Sequence, residues 1–93
     1  MSTIVFPDTI TVTVTADDIA KGEPEECGSC PIAIAAMQID GVVEAAVYPQ
    51  RMTIWSADRM AREYHLPDDA QIFVAAFDLN LDVEPFTFEA VAA

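Results

Sequence analysis

Ninety-three residues are enough for one domain, and a chain this short buries only about 60–65% of its unfolded surface, so the 53% of apolar residues has to form a compact core. Sixteen acids against four bases give a net charge of −12, which sets the chain against nucleic acid and anionic membranes and leaves basic proteins, cations or a very salty solvent as its company. No run approaches the ~20 apolar residues of a membrane span, and the N-terminus lacks the basic-then-apolar order of a signal peptide, so a cytoplasmic protein is expected.

Thr9-Ile10-Thr11-Val12-Thr13-Val14-Thr15 alternates without a break, with Ile10, Val12 and Val14 on one face and the threonines on the other. Period two and β-branching predict a half-buried strand. Pro7-Asp8 before it reads as a turn, which makes Ile4-Val5-Phe6 a separate short extended piece. Thr15 can cap a helix that starts at Ala16; Asp18 is three residues on, and Asp17 and Asp18 both suit the positive helix end. Gly22 ends this helix after about two turns, and Lys21 to Glu26 is a polar loop. Pro31 to Ile39 reads as a second helix. Proline is favoured at the first helical position, which makes Cys30 the N-cap. With almost no polar residue, this helix is expected to be buried on most sides. Val42–Tyr48 and Arg51–Trp55 are strand-like and joined by Pro49-Gln50, an antiparallel hairpin with Val43, Ala45 and Val47 on one face and Met52 and Ile54 together on the partner.

Ser56 is expected to cap a short helix over Ala57–Tyr64, broken by His65-Leu66-Pro67. Pro67 then opens a helix over Pro67–Leu79, from the spacing of Ile72, Phe73, Ala76 and Phe77, although Ile72–Phe77 alone fits a strand as well. Asn80 suits the left-handed exit. Val83–Val91 is the last strand, with Phe86 and Phe88 to one side and Thr87 and Glu89 to the other; Pro85 predicts an edge position or a late start. The order β-α-α-β-β-α-α-β describes an α+β domain of two layers: a mostly antiparallel sheet of about four strands with helices on one face.

The strand Ile10–Asp18 running into "TADDI", a Cys-x-x-Cys-Pro with "IAIA" behind it, an "HLP" helix carrying "FVAAFDLN", and a final "VEPFTF" occur in that order. This pattern resembles a group of small uncharacterised acidic proteins encoded by bacteriophages, notably those of actinobacteria, and covers most of the chain. The resemblance implies a phage origin and a host-cytoplasm setting. It implies no catalytic residue.

Cys27 and Cys30 are the chain's two cysteines, in the spacing used by thioredoxin-like proteins at a helix start, where dipole and free N–H groups stabilise a thiolate. Here the first cysteine follows "GEPEE" instead of an apolar strand. Glu23, Glu25 and Glu26 are expected to disfavour a nearby thiolate, and Lys21 is the only base close in sequence. Zinc needs four ligands, and Cys27, Cys30 and His65 with one acid make a poor set unless two chains share a site. The plainer reading has Cys30 capping or packing under the helix as a small hydrophobe and Cys27 at the loop edge. His65 suits a helix C-terminus, and Asp68-Asp69 suits a helix start better than a general acid–base pair. Asp78, Asp82 and Glu84 lack the spacing and glycine of a calcium loop. Trp55, Tyr48 and Tyr64 read either as partner-facing anchors or as packing residues.

The sequence therefore points to a non-enzymatic protein without a cofactor, which binds a basic protein partner through its negative surface. The candidate contacts are Asp17, Asp18, Glu23, Glu25, Glu26, Asp68 and Asp69. A sharper version is a DNA mimic, with carboxylates in place of phosphates. The competing readings are a thiol–disulfide or metal-binding protein using Cys27 and Cys30, and an assembly role in a homo-oligomer. The simplest account of the acidity is solubility and maintenance of a monomer, and a lysine-poor, acid-rich and alanine-rich chain also fits halophily or coding bias.

Overall fold

A computed structural model of the chain describes residues 6–93. Of the extended piece expected at Ile4-Val5-Phe6, only Phe6 falls within the described residues, and it is buried. The elements are β1 (Thr9–Val14), α1 (Ala16–Lys21), α2 (Pro31–Ala36), β2 (Glu44–Val47), β3 (Arg51–Trp55), β4 (Ala61–His65), α3 (Asp68–Asp78) and β5 (Phe86–Ala92). The protein is α+β. Among the described residues five strands form one antiparallel sheet in the order β1-β5-β4-β3-β2.

α2 packs against β1 and also against β2, the two opposite edges of this sheet. One short helix can touch both edges only if the sheet curls around it. That explains why Ile32, Ala33, Ala35 and Ala36 are all buried. Small alanines let the strands approach closely, while Ile32 fills the centre. The inner face of the sheet supplies Ile10, Val12 and Val14 from β1, Ala45 and Val47 from β2, Met52 and Ile54 from β3, Tyr64 from β4, and Phe88 and Ala90 from β5. Threonines of β1 line the outer face, as the alternation requires.

The sheet has a weak seam. β4 and β5 pair only at Tyr64↔Ala92 and His65↔Val91. The chain before β1 braces it. Tyr64 donates its hydroxyl to the Pro7 carbonyl at 2.6 Å. Arg62 Nη1 donates to the Phe6 carbonyl at 2.6 Å, and the same guanidinium pairs with Asp8. The Ala92 N–H reaches the Asp8 carbonyl at 2.6 Å. The Phe6–Asp8 segment is thus bound to both strands of the seam.

Several expected features are present. Thr15 and Asp18 form a reciprocal capping box at α1. Cys30 is the N-cap of α2, with Pro31 as its first residue. Asn80 takes the left-handed conformation at φ 60° after α3. Pro85 marks a late start, because β5 begins at Phe86 and lies inside the sheet between β1 and β4. Gly22 ends α1, but in extended backbone with φ −70°. Its role is spatial: a Cβ there would lie 2.5 Å from Pro31 Cδ.

The main correction is at residues 57–64. The helix expected over Ala57–Tyr64 is a turn followed by strand β4, so the order among the described residues is β-α-α-β-β-β-α-β, with five strands. Ser56 does not cap a helix. It closes the β3–β4 turn: its N–H donates to the Met60 carbonyl at 2.9 Å, its hydroxyl accepts from the Met60 N–H at 3.2 Å, and Arg59 adopts φ 66°. Alanine, arginine, methionine and glutamate favour a helix weakly, by tenths of a kcal/mol each. Burial of Tyr64 and the two contacts of Arg62 outweigh that preference. A second correction concerns Val43, which lies just before β2 and is exposed, unlike Ala45 and Val47. A third is that α3 begins at Asp68, with Pro67 as its N-cap residue.

Candidate functional site

A concavity surrounds the cysteine pair. A cleft of about 190 Å³ is lined by Glu25, Glu26, Cys27, Cys30, Tyr48 and Asp78 with neighbouring apolar side chains. Three contacts hold its loop. The Glu23 N–H donates to the Ser29 carbonyl at 2.8 Å, and the Val47 N–H donates to the Cys27 carbonyl at 2.8 Å, covering the outer edge of β2. The Glu25 N–H donates to Asp78 Oδ1 at 2.9 Å, tying the loop to the end of α3. This last contact helps hold Glu25 at φ 63°, a conformation that glutamate rarely adopts.

The electrostatics oppose thiolate chemistry at Cys30. Burial pushes its thiol above the ordinary value, and the charges of Asp78 and Cys27 push it the same way. The backbone N–H groups of Ala33 and Ile32 pull it down by less. Cys30 Sγ accepts from the Ala33 N–H at 3.5 Å, which is the N-cap contact. The buried sulfur therefore completes a helix end and is shielded from solvent, while Cys27 is exposed at the loop edge.

The candidate ligands are not brought together. His65 is exposed and neighbours Tyr64 on β4, whose side chain points into the core, so the histidine lies on the outer face of the sheet. The cysteines lie on the helix side. Among the described residues no group of three or more His, Cys, Asp or Glu side chains could hold a metal ion. The Cys27–Cys30–His65 set therefore does not assemble within one chain, nor do Asp78, Asp82 and Glu84.

The candidate acidic contacts divide. Glu23, Glu25, Glu26, Asp68 and Asp69 are exposed. Asp17 is exposed and pairs with Lys21 at 2.8 Å, one turn along α1. Asp18 is not on the surface: it is 1% exposed. Its Oδ2 accepts from the Thr15 N–H at 2.9 Å and its Oδ1 from the Gln38 side-chain amide at 2.7 Å. The bases are spent locally as well. Arg51 meets Glu63 across β3 and β4 at 3.2 Å, and Arg62 meets Asp8. Among the described residues only Arg59 has no ion pair.

The outer side of α3 was not singled out by the sequence. The four residues that suggested the helix separate in the structure: Phe73 and Phe77 turn inward, whereas Ile72 is exposed and Ala76 lies on the same outer side. The available signal was composition. Only Asp68, Asp69, Gln71 and Asp78 are polar in an eleven-residue helix, too few to cover one face. Tyr64 is a packing residue, Trp55 is half-buried on the outer sheet face, and Tyr48 borders the cysteine cleft. Among the described residues no helix is long and apolar enough to cross a membrane. Comparison of the chain with protein-family models, curated proteins and solved structures found no match to any of the three.

Proposed function

We propose that this protein is a non-enzymatic binding module that engages a basic protein through its carboxylates. One observation carries the reading: three of the four bases are tied to acids of the same chain, which leaves Arg59 alone against the remaining acid excess. Glu23, Glu25, Glu26, Asp68 and Asp69 face solvent in this state. Such a field reaches about a Debye length, ~8 Å at physiological salt, and speeds encounter with a positive surface. The cysteine cleft supports the non-enzymatic part, since a buried thiol held protonated among carboxylates is a poor nucleophile. On the resemblance to small phage-encoded proteins, the partner is a host or phage protein. In the sharper form the carboxylates occupy its nucleic-acid-binding face in place of phosphates.

Calorimetric titration against basic DNA-binding proteins of an actinobacterial host tests this. At salt from about 0.05 to 0.4 M the affinity is expected to fall steeply, and duplex DNA is expected to compete where mimicry holds. Binding that ignores salt, or no binding, refutes the proposal.

A further inference from the structure

α3 carries two apolar stripes. Ala70, Phe73, Val74 and Phe77 recur at i, i+3, i+4 and i+7 and pack inward. Ile72, Ala76 and Leu79 recur at the same period on the opposite side. Ile72 is 69% exposed and Leu79 71%, and Leu81, just beyond the helix, is 58% exposed. A single exposed leucine is ordinary on a protein surface, but Ile72 and Leu79 stand two turns apart on one face of the helix, and Leu81 follows at the mouth of a groove it shares with Ile19 and Phe77. The charges beside this face along the chain are of one sign. By helical geometry Asp68 and Asp69 lie on the same arc in the first turn, and Asp82 and Glu84 follow Leu81. From Glu63 to Ala93 the chain has no lysine or arginine.

Resting on the function proposed above, we infer that the outer face of α3 is the docking site for a basic amphipathic helix of the partner. The partner's apolar side chains sit on Ile72 and Leu79, with small Ala76 leaving room between them and Leu81 at the end of the face. Its lysines or arginines lie over Asp68, Asp69, Asp82 and Glu84. Charge selects this occupant over a second copy of the chain, because pairing two copies sets −12 against −12 and brings acid rim to acid rim. α3 spans about 16 Å, which matches three turns of a docked helix.

The probe is a synthetic helix of about five turns with leucine at i, i+3, i+4 and i+7 and lysine elsewhere. One control keeps the leucines and replaces lysine by glutamate; another keeps the lysines and replaces leucine by serine. Calorimetry with the full chain is expected to give binding of the leucine–lysine helix alone or far above both controls. Ile72→Ser with Leu79→Ser is expected to weaken it at least about tenfold. Asp68→Asn with Asp69→Asn is expected to weaken it about threefold and flatten its salt dependence. All four side chains are exposed, so unchanged thermal melts verify that the variants fold. Loss of no affinity in Ile72→Ser/Leu79→Ser, with salt dependence intact, overturns the α3 site and leaves the acidic-surface function standing. Failure of every basic probe to bind removes both. Equal binding of the glutamate peptide overturns the charge requirement. A dimer at physiological salt that is lost in the serine variant makes a second copy the occupant and overturns the inference.

Discussion

Replacing Asp18 by alanine separates a structural acid from a contact acid. The carboxylate accepts from the Thr15 N–H at 2.9 Å and from the Gln38 amide at 2.7 Å, so one side chain closes α1 and fastens it to the segment after α2. Alanine keeps the helix propensity and removes both acceptors. Thr15 is exposed, so water replaces the first bond and the loss is that of a cap, about 1 kcal/mol. The second bond has a charged acceptor and a neutral donor that can also turn to water, which puts its loss at about 1–2 kcal/mol. A small void where the carboxylate was packed brings the total to about 2–4 kcal/mol. For a domain of this size that lowers the melting temperature by roughly 10–25 °C. Asp18→Asn keeps an acceptor for Gln38 and is expected to lose about half as much. Urea unfolding followed by circular dichroism measures both. A loss below about 0.5 kcal/mol in Asp18→Ala refutes the structural account. If affinity for the leucine–lysine helix also fell while stability held, Asp18 would belong to the contact surface.

Cys30→Ala removes the sulfur acceptor at the α2 start and is expected to cost about 1 kcal/mol, whereas Cys30→Ser keeps a cap and costs less. Because burial raises the Cys30 thiol, the folded chain holds that proton more tightly than the unfolded chain. Its contribution is complete below the ordinary thiol range and is lost as pH rises through the folded value, so stability should fall above about pH 9 in the parent and stay flatter in both variants. An identical alkaline profile in Cys30→Ala refutes this. Tyr64→Phe leaves the ring in the core and removes one bond to Pro7, an expected loss of about 1 kcal/mol in denaturant unfolding. Arg62→Ala removes the Phe6 and Asp8 contacts and is expected to cost about 1–3 kcal/mol, with faster amide exchange at Ala92; unchanged exchange there refutes the bracing of the seam. Gly22→Ala is expected to destabilise by about 1–3 kcal/mol although its φ suits alanine, because the new Cβ meets the Pro31 ring. A neutral result would mean the ring moves aside freely.

What could be read from the sequence was local. The Thr15–Asp18 capping box, the Cys30-Pro31 helix start and the β1 alternation each depend on residues within a few positions, and each is present. The β3–β4 turn was missed because its evidence is distant. Arg62 and Tyr64 favour a strand through partners at Phe6, Pro7 and Asp8, more than fifty residues away. Asp18 shows the same limit inside a correct motif: the capping role was visible, but the burial imposed by Gln38, twenty residues on, was not. The metal set of Cys27, Cys30 and His65 failed on topology, since one residue of shift along β4 decides which face His65 takes.

The placement of the bases bears directly on the docking face inferred for α3. Arg62 and Arg51 hold the sheet together at its seam and across β3 and β4, and Lys21 pairs within α1. None of these lies on α3 or after it. The cations are therefore committed to the first two-thirds of the chain, and the last third has acids and exposed apolar groups with no positive charge among them. Burying Ile72 and Leu79 is favourable for any apolar surface, but bringing an acidic or neutral one there leaves the surrounding carboxylates partly desolvated and unpaired. A basic helix removes both costs at once. On the α3 inference, apolar contact alone would make this face sticky, and the neighbouring acids would turn that stickiness into a preference for one kind of partner.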